Sequence, residues 1–228
     1  MEASSEAGGA LVNYIPDFRL PRDVVRREID IIQGLGVSIE TDKRLGVDFT
    51  LQSLRENGFD AVIVSCGSSV STALNIPGED SQDIIDAGAY LSAFNKTGSA
   101  TTGKRVVIIG GNNAAVDAAR TAKRQGAEEV SILYRRTRRE MTAYEECIDD
   151  AEREGVRVYP LVAPLAFASA NGHVSGVECV HMELGAFDLS GRRTPQPANG
   201  AHFVLDADQV ILAVGRKSNV VDCCEGVG

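Results

Sequence analysis

Short apolar runs separated by glycine turns set the pattern of this chain. The clearest case lies between Lys104 and Arg139. Val106-Val107-Ile108-Ile109 is followed by Gly110-Gly111-Asn112-Asn113-Ala114-Ala115, and an Ala-rich stretch then runs from Val116 to Gln125. Gly126 ends that stretch, and a second apolar run, Val130-Ser131-Ile132-Leu133-Tyr134, leads into Arg135-Arg136-Thr137-Arg138-Arg139. Brief apolar runs bounded by turn residues predict buried strands, and the Ala-rich segment predicts a helix. Strand, turn, helix and strand in this order make a right-handed βαβ unit.

The same reading predicts the other elements. Val24, Val25, Ile29, Ile31 and Ile32 mark a helix closing at Gly34, and Val37-Ser38-Ile39-Glu40-Thr41 reads as a strand. Asp48 is the expected cap of a short helix over residues 51–55. Asp60-Ala61-Val62-Ile63-Val64-Ser65 reads as a buried strand. A turn at Ile76-Pro77-Gly78-Glu79-Asp80 precedes a helix from Ile84 to Phe94, and Lys96 to Gly103 reads as a loose linker. Beyond the βαβ unit, Tyr144 to Glu154 reads as a crossover helix and Val156-Arg157-Val158-Tyr159 as a third parallel strand. Antiparallel segments are expected at Ala166–Ala170, Val174–Leu184 and His202–Leu205, with turns at Asn171-Gly172 and around Ser190-Gly191. Gln209 to Val214 is a last buried strand, ended by Gly215.

The βαβ turn carries the candidate chemistry. Gly110 supplies backbone freedom where a strand turns sharply into a helix. The first helical amides lack intrahelical partners and, with the positive end of the helix dipole, favour a pyrophosphate. Ala115, Ala118 and Ala119 give a small face for close packing on the strand. The usual spacing is G-x-G-x-x-G/A, and its middle glycine is Asn112 here, a residue tolerant of left-handed dihedrals. Without a ligand, the same turn would be an ordinary strand-to-helix connection.

An NAD site places Asp or Glu near the end of the second strand, on the ribose 2′-hydroxyl. This chain has four arginines there, which suit a 2′-phosphate and favour NADP over NAD. The plain alternative is a solvated charge run.

Composition narrows the picture. Of 228 residues, 43% are hydrophobic and 24% charged, as in a globular protein of one or two domains. A net charge of −9 argues against nucleic-acid and anionic-membrane partners, so the arginine cluster is a local exception. No run approaches the length of a membrane span, and Met1-Glu2-Ala3-Ser4-Ser5-Glu6 has no signal-peptide character; a cytoplasmic location is expected. The cysteines at 66, 147, 179, 223 and 224 include no C-x-x-C, so neither a redox dithiol of that kind nor a metal knuckle is encoded. Cys66, Cys147 and Cys179 are expected to pack as small apolar side chains, and Cys223-Cys224 to lie in an ordinary tail.

Several stretches together resemble the two-dinucleotide flavoproteins that include the small subunit of glutamate synthase. The flavin half of dihydropyrimidine dehydrogenase and the NADPH-binding subunits of electron-bifurcating transhydrogenases are related. The matching residues are Ile15-Pro16-Asp17-Phe18-Arg19-Leu20-Pro21, Gly58-Phe59-Asp60-Ala61, Ile76-Pro77-Gly78-Glu79-Asp80 and Gly103-Lys104-Arg105-Val106-Val107. They continue at Asp117-Ala118-Ala119-Arg120, Tyr134-Arg135-Arg136, Glu140-Met141-Thr142-Ala143 and Gly191-Arg192-Arg193-Thr194-Pro195. Three positions depart from the family pattern: Asn112 replaces a third glycine, Ala114 a threonine and Thr142 a proline.

The resemblance implies an α/β fold: a Rossmann-like NAD(P)-binding domain of three-layer β/β/α character, inserted in a partial FAD-binding domain. It implies that residues 1–97 belong to the FAD domain, 98–213 to the NAD(P)H domain, and 214–228 to the return into the FAD domain. It also implies an internal fragment or truncated form of a longer flavoprotein, because the family's iron–sulfur cysteines and first glycine fingerprint are not among these residues. Carried over, Gly110, Gly111, Asn112, Asn113 and Ala114 form the pyrophosphate turn, Arg135 and Arg136 face the 2′-phosphate, and Gly215 lies on the nicotinamide side. Glu146 is a weaker match near the nicotinamide ribose.

The function implied is hydride transfer from NADPH to FAD, with electrons leaving through an iron–sulfur domain or electron-acceptor subunit. Such transfer requires no acid or base from the protein, and no catalytic side chain is assigned. The rival reading is a dinucleotide-binding module without catalysis. A disulfide reductase would need a paired-cysteine motif that is missing. Oligomeric state is not legible.

Overall fold

The computed structural model describes residues 1–189, 191–200 and 202–218. In chain order the helices are α1 (Ala10–Asn13), α2 (Arg22–Gly34), α3 (Leu51–Glu56), α4 (Ala87–Thr97), α5 (Asn113–Arg124) and α6 (Glu145–Arg153). The strands are β1 (Val70–Ser71), β2 (Ile84–Asp86), β3 (Arg105–Ile109), β4 (Glu129–Tyr134), β5 (Arg157–Pro160), β6 (Val162–Ala170), β7 (His173–Phe187), β8 (Arg193–Pro197), β9 (Phe203–Asp206), β10 (Gln209–Leu212) and β11 (Arg216–Lys217). Two compact units divide the chain: Ala73–Val214, and Met1–Thr72 with the residues from Gly215 onward.

In the Ala73–Val214 unit, β2, β10, β3, β4 and β5 form a parallel sheet in that order. Alternation along β3 explains the layers. Val106 and Ile108 pack with the buried faces of α4, α5 and α6. Val107 and Ile109 face the other way, onto Val162, Phe167, Val174, Val177 and Cys179 of the antiparallel strands β6 and β7. A period of two sends neighbours to opposite faces, so a run apolar throughout is what a strand covered on both sides requires. The result is the three-layer β/β/α arrangement with a Rossmann-like βαβ unit.

Helix α5 is built for close approach: Ala115, Ala118, Ala119 and Ala122 are each 0% exposed. Its buried Arg120 bonds Glu154 at 2.8 Å and pairs with Asp150 at 3.2 Å, joining α5 to α6. Burial works against the Arg120 charge, but Glu154 and Asp150 outweigh it and hold its pKa above the usual value. The β6–β7 hairpin turns at Asn171 (φ 54°) and Gly172 (φ 82°), the paired positive dihedrals of a tight hairpin.

Several sequence expectations are corrected here. Ile84–Asp86 is a strand paired with β10, and the helix starts only at Ala87, where the Asp86 carboxylate accepts from the Ala89 amide. The segment to Gly103 is tied down, because the Gly103 amide donates to Gln209 and the Tyr90 hydroxyl bonds Thr102. β8 was not foreseen. The compact units divide at 72 and 73, with β2 and α4 inside the larger one; the domain boundary that the resemblance implies at 97 and 98 is a separate expectation.

In the other unit, β1 and β11 pair antiparallel, and Val12, Val25 and Leu54 are buried. Thr50, not Asp48, caps α3, in a reciprocal capping box with Ser53; the Asp48 carboxylate accepts instead from the Arg44 amide. Residues 37–41 form no strand; the Glu40 carbonyl accepts a single bond from the Glu2 amide. Residues 60–65 form no strand either, and Ile63 is 92% exposed. An extended run needs neighbours to take its N–H and C=O groups, and among the described residues it has no ladder partner.

Cys147 and Cys179 are buried as expected, whereas Cys66 is exposed. Burial pushes the Cys179 thiol up to about 12. Cys223-Cys224 lies outside the described residues, as does Ser190 in the expected turn.

Candidate functional site

The turn between β3 and α5 admits no side chain at either glycine. Gly110 has φ +143°, and a Cβ there would lie 2.5 Å from the Ala213 carbonyl oxygen. Its amide donates to the Leu133 carbonyl at 3.0 Å, which ties the turn to β4. At Gly111 a Cβ would lie 2.5 Å from the Tyr134 ring, so the close approach of that ring demands glycine.

Asn112 adopts no left-handed conformation. With φ −96° and ψ 175° it is the N-cap of α5. Its Oδ1 accepts from the Ala115 amide at 2.9 Å, and its Nδ2 donates to the Ala213 carbonyl at 2.9 Å. The side chain therefore takes one helix-start amide for itself and leaves those of Asn113 and Ala114, which precede the intrahelical ladder. Asn113 and Ala114 are both half-buried. The Asn113 side chain accepts from the Tyr144 amide at 3.1 Å, and the Gly111 carbonyl accepts from the Thr142 and Ala143 amides. Residues 142–144 are thus laced to the turn. Sequence reasoning gave them no such role, because backbone bonds leave no residue-type signal.

At the carboxyl end of β4 the four arginines divide into two kinds. Arg136 is 6% exposed; its Nε donates to the Arg193 carbonyl at 3.0 Å and its guanidinium pairs with Asp188 at 3.6 Å. Arg138 is paired with Asp149, Glu152 and Glu145, and the Glu152 hydrogen bond leads the interactions that raise its pKa. Arg135 and Arg139 are exposed and make no ion pair among the described residues. Tyr134 donates its hydroxyl to the Glu140 carbonyl at 2.8 Å and accepts from Arg192 Nη2 at 3.0 Å. The Glu140 carboxyl lies below its usual range, through its Thr137 hydroxyl bond first and then the Thr137 amide, Arg136 and Arg192.

Gly215 lies in the smaller unit at the start of β11, with φ +111°, its carbonyl accepting from the Thr72 amide. Glu146 is exposed in the first turn of α6. A cavity of about 290 Å³ lies elsewhere, at the amino ends of β3, β4 and β5. Its rim charges neutralise one another, Arg105 with Asp206 and Arg157 with Glu129, so it offers no unbalanced charge to a phosphate.

Residues 11–227 match the model of one protein family, described as pyridine nucleotide-disulphide oxidoreductase. The chain belongs to that family. It is similar to the NADP(+)-dependent formate dehydrogenase subunit beta of Moorella thermoacetica, with 41% identity over 96% of this chain and 31% of that protein. It is also similar to the glutamate synthase [NADPH] small chain of Azospirillum brasilense, with 37% identity over 91% of this chain and 45% of the relative. The chain therefore spans only a third to a half of these curated relatives. A solved structure of FprA from Mycobacterium tuberculosis in complex with NADPH shares the fold, with TM-score 0.77 and 18% identity over 95% of this chain and 63% of that one.

Proposed function

We propose that the Ala73–Val214 unit is the NADPH-binding domain of a flavoprotein oxidoreductase, and that the smaller unit is part of its FAD domain. The observation that carries this reading is the pair of uncommitted guanidinium groups, Arg135 and Arg139, following a βαβ turn that excludes side chains at Gly110 and Gly111. The Asn113 and Ala114 amides would hold the diphosphate at the positive end of α5. Arg135 would grip the 2′-phosphate with Arg139 beside it, while Arg136, buried against Asp188, positions the strand end.

Bound NADPH would supply a hydride, and the flavin and iron–sulfur acceptors that the resemblance implies would belong to the longer protein. The work of this chain is to hold and orient the nucleotide, with residues 142–144 fixing the turn. Among its described residues the smaller unit has no strand–glycine–helix turn to receive a second diphosphate. Gly215 is proposed on the nicotinamide side. A cytoplasmic setting accords with the fact that no described helix is long and apolar enough to cross a membrane.

Two observations test this reading. Selective binding of NADPH over NADH supports it, and equal binding of the two removes the case for 2′-phosphate recognition. Yellow flavin absorbance of the longer protein that contains this chain separates the oxidoreductase from a colourless nucleotide-binding module.

A further inference from the structure

A third guanidinium, contributed by a distant part of the chain, bonds the residues that precede Arg135 and follow Arg139, the two arginines without an ion pair among the described residues. Arg192 precedes β8, and its Nη2 donates both to the Tyr134 hydroxyl at 3.0 Å and to the Glu140 carbonyl at 3.2 Å. Tyr134 is the last residue of β4 and lies against Gly111 of the phosphate turn. Arg192 is thereby fixed at the strand end where a dinucleotide's ribose 2′ substituent is read.

Its surroundings hold it in place, and the Glu140 carboxylate, close enough to feel its charge, is itself hydrogen-bonded to the Thr137 hydroxyl. The Asp188 carboxylate accepts from the Arg192 amide at 3.1 Å, and the Asp188 amide donates to the Arg192 carbonyl at 2.7 Å. Asp188 also pairs with Arg136, and the Arg193 carbonyl accepts from Arg136, so Asp188 and Arg193 are tied to the strand end. Arg192 itself forms no ion pair among the described residues, and its Nε and Nη1 have no partner there. Guanidinium carries five N–H donors in a rigid fork suited to phosphate. Here one nitrogen anchors the group and the rest of the fork stays available. Because the anchor sets the orientation beforehand, little side-chain freedom is lost on binding an anion.

We infer that Arg192 is a specificity-determining residue for the nucleotide's 2′-phosphate, held ready by the Tyr134 hydroxyl. This rests on the NADPH reading above and extends it from β4 to the antiparallel sheet. The group recognised is a phosphomonoester on the adenosine ribose, not the diphosphate.

Calorimetric titration with adenosine 2′,5′-bisphosphate and with 5′-AMP tests it on the full chain. Arg192→Ala is expected to weaken the bisphosphate about tenfold and 5′-AMP less than about twofold, as for loss of one charge-assisted contact. A merely structural role would lower both affinities together, and that result overturns the inference, as does an unchanged bisphosphate affinity. Tyr134→Phe keeps the ring on Gly111 but removes the shorter of the two bonds that anchor Arg192; a fall of about threefold in the preference for bisphosphate is expected. Should Arg192→Ala fail to fold, an unchanged preference in Tyr134→Phe overturns the inference by itself. Failure of the NADPH reading is distinct: there the unmodified chain shows no preference for the bisphosphate.

Discussion

Two apolar runs of nearly the same composition meet opposite fates in this molecule. Val106-Val107-Ile108-Ile109 lies between β10 and β4, covered on both faces, and Ile108 is 0% exposed. Ala61-Val62-Ile63-Val64 has no ladder partner among the described residues, and Ile63 is 92% exposed. Apolar side chains create the drive for burial, but backbone pairing decides whether it is met. Each strand residue brings an N–H and a C=O that only a neighbour can satisfy away from water. The turn between β3 and α5 is sharply built because it sits at the end of the run that has neighbours.

Core substitutions give the largest contrast. Ile108→Ala should cost about 2–5 kcal/mol in urea unfolding, and Ile63→Ala less than about 0.5 kcal/mol. Similar losses at both positions would break the comparison. Glycines sharpen it next. Gly110→Ala meets both a positive φ and the Ala213 oxygen, and should cost about 1–3 kcal/mol. Gly36, at φ +92° in open space, should show only the backbone part, about 1 kcal/mol.

Binding follows. Arg135→Ala with Arg139→Ala should weaken NADPH about tenfold and leave NADH within about twofold, measured by titration. Arg138→Ala, which removes a guanidinium already committed to three carboxylates, should leave the preference for NADPH unchanged.

Acid gives a smaller effect. Burial opposes the Glu154 charge, but Arg124 and Arg120 outweigh it and hold its pKa below the ordinary 4.5. A depressed carboxylate contributes stability that is full above 4.5 and is lost as pH falls through the lower folded value. Glu154→Gln should flatten that acid limb, by less than about 1 kcal/mol because the group is partly solvated. A change of similar size is expected at Asn112→Gly. It loses the cap bond and the bond to the Ala213 carbonyl, at a cost of about 1 kcal/mol, leaves the Ala115 amide on the residue-112 carbonyl, and should tighten NADPH binding by making room at the turn. Weaker binding would mean that Asn112 touches the ligand productively.

What could be read from the sequence was what is local. The βαβ unit announces itself through an apolar run, two glycines and an alanine face, all within one short stretch. Ile84-Ile85 reads as the start of a helix until β10 pairs with it from far along the chain. Arg136 shows the same limit. As a residue type it belongs at the surface, and only a carbonyl 57 residues away, with Asp188, explains its burial. Arg192 was visible as part of a matching stretch, but its role depends on Tyr134, 58 residues distant. Burial and partnership are pairwise properties, and a single sequence displays one member of each pair.

The most direct test of the central claim is a calorimetric comparison of NADPH and NADH binding to the unmodified chain. Saturable NADPH binding about tenfold tighter than NADH is expected, the difference arising from the 2′-phosphate. Equal affinities, or no binding of either nucleotide, would contradict it.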